Sequence, residues 1–217
     1  MQSLDKLYYR VAETNDDPCT IGDLLYQSDP YIYPYWFNND SDEAKIYLQQ
    51  HFDDASFPFG FTNCFVTYED TDEDGYTSDS VLGMIIGWHE RSDLSYDFYD
   101  DTTDNIRSYN TIERCVKPAI YDAQAYPHTL TIFALSVDQN FHGYGIGGRM
   151  LEEYLKYMQK TYQIDTVHLT CLADNLRARK FYEAHGFTKQ SESIGFDGSD
   201  NPTLKTILYE RRLVRKS

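Results

Sequence analysis

The order of apolar and polar positions predicts a series of strands and helices along the chain. Runs rich in β-branched residues, several of them alternating with polar ones, indicate strands at Leu7–Val11, Phe61–Tyr68, Val81–His89, Thr129–Val137, Thr166–Cys171, Ser193–Asp197 and Leu204–Leu213. Apolar residues at spacings of three and four predict an amphipathic helix from Ile146 to about Tyr162. Helices are also predicted after Thr20, an N-cap residue type, and from Asp40 to about Phe52, where Asp40 and Glu43 can form a capping box.

At 217 residues the chain is long enough for a single domain, 1–217, with a sizeable core. Residues 91–127 form a long segment with helix-like spacing that Pro118 ends or kinks. This helical insertion fits a lid over a binding site, and it fits equally a contact with a second subunit of a homodimer.

A glycine-rich turn, Asn140-Phe-His-Gly-Tyr-Gly-Ile-Gly-Gly148, joins the Thr129–Val137 strand to the long helix. Successive backbone N–H groups at such a junction, together with a helix N-terminus, attract an anion, so the turn predicts phosphate binding. Gly143, Gly145 and Gly148 also match the fingerprint G-x-G-x-x-G, which would indicate a nicotinamide-dependent oxidoreductase. That fingerprint usually opens its own α/β domain, and it leaves the segment from Asn175 to Phe187 unexplained.

Taken together, the turn and the later segment resemble the GCN5-related N-acetyltransferase (GNAT) family. In that family a long strand leads into a Q/R-x-x-G-x-G/A turn, and an Asn-x-x-Ala-x-x-(Phe)-Tyr helix that ends in Gly-Phe follows farther along the chain. Here the matching residues are Gly143-Tyr-Gly145, Asn175-Leu-Arg-Ala178-Arg-Lys-Phe181-Tyr182 and Gly186-Phe187. One departure is Asn140, which stands where the family has Gln or Arg.

The resemblance implies a mixed α/β (α+β) fold, in which helices flank a central, mixed and mostly antiparallel sheet of six to seven strands. It also implies acetyl-CoA as the donor of the acyl group. The backbone of Leu135, Ser136 and Val137 would pair with the pantetheine arm, and the pyrophosphate would be held by the backbone amides of His142, Gly143, Tyr144, Gly145, Ile146, Gly147 and Gly148. Asn175 and Ala178, on the following helix, would contact the cofactor near its thiol end.

In the resembled family the tyrosine of this helix protonates the departing thiolate, which makes Tyr182 the predicted catalytic acid. A thiol with a pKa of ~8.5 leaves readily beside a phenol with a pKa of ~10 that donates or shares a proton. A packing role for Tyr182 is the alternative, because the chain holds 20 tyrosines. Asn175 also has an alternative role, the capping of its helix, which is compatible with a cofactor contact.

Charge is distributed unevenly along the chain and bears on the identity of the acceptor. Residues 1–128 hold 25 acidic and 7 basic side chains, residues 129–217 hold 10 and 12, and the net charge is −16. An acidic acceptor half concentrates cations and repels nucleic acid, so we expect a cationic amine as acceptor and no nucleic-acid partner. A polyamine, an aminoglycoside and a lysine side chain all have this chemistry. Acidity that serves solubility alone is the alternative.

The acceptor site is predicted from aromatic and titratable residues in the acidic half. In the resembled family the segment between the first two helices helps to build this site. Here that segment contains Tyr31, Tyr33, Tyr35 and Trp36, whose rings can contact a cation or pack on the core. A protonated amine must lose a proton before it attacks, which requires a base. Glu90 is the first candidate for the catalytic base, with His89 and His128 as alternatives at strand ends, and His128 would also contact the acceptor.

The sequence indicates neither a metal site nor a membrane segment. The four cysteines lack C-x-x-C spacing, no apolar run approaches the length of a membrane-spanning helix, and the first residues do not resemble a signal peptide. We therefore expect a cytoplasmic protein with reduced thiols. The interpretation that unites these features is an acetyl-CoA-dependent N-acetyltransferase that works by direct transfer in a ternary complex. A non-catalytic acyl-CoA-binding or sensor module of the same fold is the alternative.

Overall fold

The structure, a computed structural model, describes residues 7–29, 32–33, 37, 40–69, 81–95, 116, 120–195 and 204–214. Within this part of the chain the strands are β1 (Leu7–Val11), β2 (Cys64–Glu69), β3 (Val81–His89), β4 (Thr129–Val137), β5 (Thr166–Leu172), β6 (Thr188–Gly195) and β7 (Leu204–Arg212). The helices are α1 (Pro18–Ser28), α2 (Ser41–His51), α3 (Ile146–Tyr162) and α4 (Leu176–Ala184), with 3₁₀ turns at Phe61–Asn63 and Gln139–Phe141. Residues 120–125 form a further helical segment.

The strands form one sheet in the order β1-β2-β3-β4-β5-β7-β6. All neighbouring strands are antiparallel except β4 and β5, which are parallel. A parallel pair needs a crossover connection, and α3 provides it. The predicted fold class, a mixed and mostly antiparallel sheet of six to seven strands flanked by helices, is therefore confirmed.

Helices cover the sheet and create two apolar clusters. One cluster joins α1 and α2 to β2, β3 and β4, and its fully buried side chains include Phe57, Phe59 and Trp88. The other joins α3 and α4 to β3, β4, β5 and β7. We call the two sides of the sheet the α1/α2 face and the α3/α4 face. Burial of apolar surface on both faces is the main force that holds the helices to the sheet.

The α3 helix shows how a sequence pattern becomes packing. Its buried side chains are those of the predicted apolar stripe: Ile146, Met150, Leu151, Tyr154, Leu155 and Met158. At spacings of three and four these side chains share one side of the helix, and that side packs on the sheet. The N-terminus of α3 is thereby fixed near the end of β4.

The predicted start of the first helix is wrong, whereas that of the second is confirmed. α1 begins at Pro18 and not after Thr20, because the Asp17 side chain accepts hydrogen bonds from two backbone amides of the first turn at 3.0 Å. Proline also fits the first helical position, where no N–H is needed. The predicted Asp40 cap of α2 is present, with Asp40 accepting from the amide of Asp42 at 2.8 Å.

Most of the predicted insertion, residues 91–127, lies outside the described residues. Within it, Val116, Ile120 and Ala123 are buried in the cluster of the α1/α2 face, so these residues pack on the domain. Across the described segments, no helix combines the length and the apolar character needed to span a membrane.

Candidate active site

The sheet opens between its two parallel strands. β4 and β5 remain paired only as far as Ile132 and Leu169. Beyond that point β4 continues to Val137 alongside β3, and β5 continues to Leu172 alongside β7. The backbone of residues 133–137 therefore has a neighbouring strand on one edge only, and its other edge faces a gap in the sheet.

A β-bulge in β4 marks the point where the two strands separate. On β3, Ile86 pairs with Ala134 and Gly87 pairs with Ile132, so Phe133 is an extra residue in β4. A bulge bends its strand and redirects the side chains around it, which accounts for the departure of β4 from β5 at this level. The Phe133 ring turns to the α1/α2 face, where it packs on the aromatic residues of that cluster.

A cavity of about 800 Å³ extends into this gap. It is bounded by the end of β4, the glycine turn, the N-terminal part of α3, the helix α4 and the end of α1. The described residues that line it are Tyr26, Gln27, Ser28, Leu135, Ser136, Val137, Gln139, Phe141, His142, Gly143, Gly145, Ile146, Gly147, Gly148, Asn175, Arg177, Ala178, Phe181 and Tyr182. A volume of this size is typical of a site for a small molecule or a cofactor.

The glycine turn has a backbone shape that frees its amides. Gly143 and Gly145 have φ values of 88° and 77°, the left-handed conformation that glycine adopts without strain. Gly145 immediately precedes α3, and no described side chain caps that helix end. Among the described residues, the N–H groups of residues 143–148 have no acceptor. These consecutive amides are therefore available to a ligand, and an anion is the ligand that fits them.

His142 connects the turn to the end of β4. Its Nε2 atom lies 2.8 Å from the carbonyl oxygen of Val137, and because a carbonyl only accepts, Nε2 carries the proton. The backbone N–H of His142 donates to the carbonyl oxygen of Gln139 at 3.3 Å. The predicted set of free amides is therefore corrected at this position: His142 lines the cavity, but its amide is already bonded, and the free donors begin at Gly143.

Within the described part of the chain, no carboxylate lines this cavity. The lining residues include no Asp or Glu, and Arg177 is the permanent cation among them. This local balance contrasts with the net charge of −16 for the whole chain. A polyanion can enter such a site without close repulsion from an acidic side chain.

Asn175 caps α4, as its residue type predicts. Its Oδ1 atom accepts a hydrogen bond from the amide of Ala178 at 3.0 Å. The cap leaves the side-chain NH₂ group of Asn175 as a donor, and both Asn175 and Ala178 line the cavity. A capping role and a ligand contact are therefore compatible in this geometry.

Tyr182 lies where α4 faces the cavity. Its side chain is 9% exposed, and its ring contacts those of Phe181, Phe187 and Tyr209. Burial, and secondarily the nearby Cys171, raises the pKa of Tyr182 well above its ordinary value of 10.0, so the phenol is protonated at neutral pH. Its hydroxyl makes no hydrogen bond to the protein in the described segments. The site thus contains a neutral O–H donor at the cavity wall.

Glu90 and His128 lie at the other end of the sheet from the glycine turn. β3 ends at His89, which pairs with Leu130 at the start of β4, so Glu90 follows at that far edge. Leu130 and Val137 are separated by about 23 Å of extended strand. Neither Glu90 nor His128 lines the cavity. Antiparallel pairing with β4 places the end of β3 outside the cavity wall, and the roles of both residues stay predictions.

The predicted aromatic wall lies only partly within the described residues. Tyr33 is 2% exposed and belongs to the cluster of the α1/α2 face, so it packs in the core and does not line the cavity. Tyr31, Tyr35 and Trp36 lie outside the described residues. Tyr144, in the turn, has an exposed side chain that does not line the cavity, although its amide is one of the free donors.

Sequence reasoning does not find the part of the cavity wall that comes from α1. Tyr26, Gln27 and Ser28 end this helix and reach the gap because α1 packs across β4. No local motif marks them. Arg177 is also absent from the predicted residues. Its basic side chain, two positions after Asn175 in the segment that resembles the family, could have indicated a contact with phosphate.

The family assignment follows from comparison with known proteins. Residues 23–187 match the acetyltransferase (GNAT) family. The chain therefore belongs to the GNAT acetyltransferase family, whose general reaction is the transfer of an acetyl group to an amine, and by family it is an acyltransferase. GNAT enzymes generally use acetyl-CoA. No curated protein sequence matches the chain significantly.

Solved structures agree with the fold. An N-acetyltransferase from Staphylococcus aureus Mu50 has 17% identity and a TM-score of 0.63, covering 94% of this chain and 99% of that chain. The ribosomal-protein-S18-alanine N-acetyltransferase from Escherichia coli has 13% identity and a TM-score of 0.53, covering 98% and 97%. The NatC complex bound to Gag peptide and CoA has 14% identity and a TM-score of 0.53, covering 96% and 99%.

Proposed function

We propose that this chain is an acetyl-CoA-dependent N-acetyltransferase that acts on a cationic amine by direct transfer in a ternary complex. One observation supports the proposal above all: three kinds of group line one cavity. They are the consecutive free amides, the open strand edge and the protonated Tyr182. These groups match, in order, the pyrophosphate, the pantetheine arm and the thioester of the donor.

The residues along the cavity fit this donor. The amides of residues 143–148 would hold the pyrophosphate, and Arg177 would place a cation near the phosphates. The open edge of β4 at residues 135–137 would pair with the amide groups of the pantetheine arm, as an added strand does. Asn175 and Ala178 would contact the arm near its thiol end. When bound, acetyl-CoA supplies the activated acetyl group.

Residues of this chain would then stabilise the charges that develop during transfer. A backbone amide at the open edge of β4, near Leu135, would donate to the carbonyl oxygen of the thioester as an oxyanion-type donor. Because burial keeps Tyr182 protonated, its hydroxyl would donate to the departing sulfur and supply or share the proton that the thiolate needs.

The acidic N-terminal half supports a cationic acceptor. Residues 1–128 hold 25 acidic and 7 basic side chains, and such a field raises the local concentration of a protonated amine. A polyamine, an aminoglycoside and a lysine side chain are the candidate acceptor classes. These classes differ in the size of the molecule that carries the amine.

A non-catalytic acyl-CoA-binding module is the second candidate. One observation favours it: within the described segments, the cavity has no carboxylate that could deprotonate an amine. Such a module would keep the free amides and the open strand edge, but it would have no use for an acid at position 182.

A thermal-shift titration with acetyl-CoA, CoA and NADH side by side tests the proposal. A ligand at 100 times its Kd raises the free energy of unfolding by about 2.7 kcal/mol, so binding is readily measured. We expect shifts with both CoA species and none with NADH, followed by thiol release with a cationic amine. Binding without thiol release for any amine class would favour the non-catalytic module, and a shift with NADH alone would overturn the proposal.

A further inference from the structure

We propose that His168 is the general base that removes a proton from the acceptor amine, and that Glu210 is its positioning residue. This inference rests on the proposed function and supplies the base that the cavity wall lacks.

His168 lies on the side of the gap opposite to Tyr182. Ile132 and Leu169 form the last pair between β4 and β5, and both side chains belong to the cluster of the α3/α4 face. Side chains alternate along a strand, so the preceding pair, Thr131 and His168, points to the α1/α2 face. Tyr182 belongs to the cluster of the α3/α4 face. An amine that approaches from the α1/α2 face therefore meets His168 on its own side of the sheet.

His168 is also close to the gap along the strand. Leu169 is the last residue of β5 that pairs with β4, and Thr170, whose side chain is exposed, is the first residue beyond it. His168 and Thr170 lie on the same side of the strand and are about 6.6 Å apart along it. In this mechanism a proton on an amine in the gap would reach the His168 ring through a water molecule.

Glu210 fixes the orientation of the His168 ring. The Nε2 atom of His168 lies 3.1 Å from Oε2 of Glu210, its partner in the β5–β7 register. A carboxylate accepts, so Nε2 carries the hydrogen and Nδ1 keeps the lone pair of a base. Arg212 donates from Nε to Oε1 of Glu210 at 2.9 Å. Hydrogen bonds from His168 and Arg212 lower the pKa of Glu210, which therefore stays ionised.

The surroundings leave the other ring nitrogen accessible. The side chains of His168 and Glu210 are 27% and 21% exposed, so the pair is partly buried and still open to an acceptor. From β4 the neighbour of His168 is Thr131, which has no titratable group. From β7 the charged neighbours are Glu210 and Arg212, and Arg212 also donates to Thr166 Oγ1 at 3.0 Å, away from the ring.

The proton transfers balance for an acceptor that starts as R–NH₃⁺. Nδ1 of His168 takes one proton, and the lone pair of the neutral amine attacks the acetyl carbonyl carbon. The N–C bond forms and the C–S bond breaks. The amide nitrogen loses its second proton, the CoA sulfur ends as a thiol with a proton delivered through Tyr182, and His168 releases its proton to water. The products are the acetylated amine, the CoA thiol and one proton.

Kinetics of H168Q and E210Q test the inference, with E192Q as a matched control. Glu192 lies on β6 and forms an ion pair with Lys189 at 2.8 Å, as Glu210 does with Arg212. Its register partner Ile207 belongs to the cluster of the α3/α4 face, so Glu192 lies on the side of the sheet opposite to His168. We expect H168Q to lower kcat/KM at pH 7 by about 100-fold, E210Q to cause a smaller loss, and E192Q to leave kcat/KM unchanged. The loss in H168Q should shrink as the pH approaches the pKa of the amine, because a neutral amine needs no base.

Two readouts do not depend on turnover. The Kd of acetyl-CoA should be the same in H168Q, E210Q and the wild type, because neither side chain lines the cavity. Two-dimensional ¹H–¹⁵N NMR of the histidine rings should show His168 as the Nε2–H tautomer in the wild type and as a mixture of tautomers in E210Q. If H168Q folds poorly, E210Q carries the kinetic test.

The outcomes separate this inference from the proposed function. If the wild type is active and H168Q has the same pH profile of kcat/KM, the inference alone is overturned. The finding that His168 of the wild type is in the Nδ1–H form would also overturn it. A wild type that binds acetyl-CoA but acetylates no amine overturns the proposed function, and the role of His168 falls with it. A loss of activity in H168Q that is equal at every pH indicates a structural role and also overturns the inference.

Discussion

The Nε2 atom of His185 lies 2.6 Å from the position that a Cβ atom on Gly148 would occupy. The ring of His185 is held in place because its Nδ1 atom lies 2.7 Å from the carbonyl oxygen of Phe181. The absence of a side chain at Gly148 therefore allows the end of α4 to pack on the first turn of α3. This contact fixes the free amides of the glycine turn relative to Asn175 and Tyr182.

The variant G148A is expected to lose stability and affinity together. Its new methyl group would overlap the His185 ring, and overpacking of this kind costs about 1–3 kcal/mol of unfolding free energy. The displaced turn should also bind acetyl-CoA more weakly. Urea unfolding and a direct titration of acetyl-CoA measure the two effects.

Two further variants control for the loss of glycine itself. A Cβ atom on Gly147 would lie 3.5 Å from Val137 Cγ2, an ordinary contact, so the unfolding free energy of G147A should stay close to that of the wild type. In the double variant G148A/H185A the methyl group has room. The loss of unfolding free energy in the double variant should therefore be smaller than the sum of the losses in the two single variants. Additive losses would contradict the proposed contact.

Tyr182→Phe is expected to separate turnover from donor binding. The phenyl ring keeps the contacts with Phe187 and Tyr209, but it removes the hydroxyl that would donate to the leaving sulfur. We expect kcat to fall by about 100-fold while the Kd of acetyl-CoA changes little. Tyr121→Phe, at a side chain that is 73% exposed and outside the cavity, is the matched control. If the Tyr182 variant keeps full turnover, the hydroxyl of Tyr182 is not the acid, and only the packing role of its ring remains.

Arg177→Ala is expected to weaken the binding of CoA about fivefold at low ionic strength, because it removes the permanent cation of the cavity wall. Added salt should narrow the difference from the wild type, since it screens charges near the surface. Lys180→Ala, on the same helix but outside the cavity, tests whether the position or the net charge matters. Equal losses in the two variants would show a general charge effect.

His89 should make the protein less stable in mild acid. Its side chain is 5% exposed, and burial lowers its pKa from 6.5 to about 4. Between these values the unfolded chain binds a proton that the folded chain does not bind. The His89 contribution to the free energy of unfolding is therefore constant above pH 6.5 and falls as the pH drops towards 4, by up to about 3 kcal/mol.

Urea unfolding of the wild type and of His89→Gln between pH 4.5 and 7 measures this contribution. Protonation would also break the bond in which His89 Nδ1 accepts from the amide of Arg91 at 3.2 Å. We expect a shallower dependence on pH in the variant, whatever its absolute stability. Parallel curves for the two proteins would show that other groups cause the acid sensitivity.

The edge strand β6 shows where sequence reasoning loses precision. It begins at Thr188, earlier than the predicted start at Ser193, and its first residues are polar. These residues carry no apolar alternation, and they become a strand because their backbone pairs with β7. A pairing partner on another part of the chain is invisible to a local pattern.

The sequence by itself determined the features that consecutive residues carry: the buried stripe of α3, the glycine turn from Gly143 to Gly148, and the capped helix from Asn175 to Tyr182. Their spacing fixes them because a turn or a helix depends on residues close along the chain. Only the tertiary structure decided which distant residues meet. It opened the sheet at Phe133, placed Glu90 outside the cavity wall, and brought His168 to Glu210 across a separation of 42 residues. These placements follow from strand order and register, which are set by packing between segments far apart in sequence.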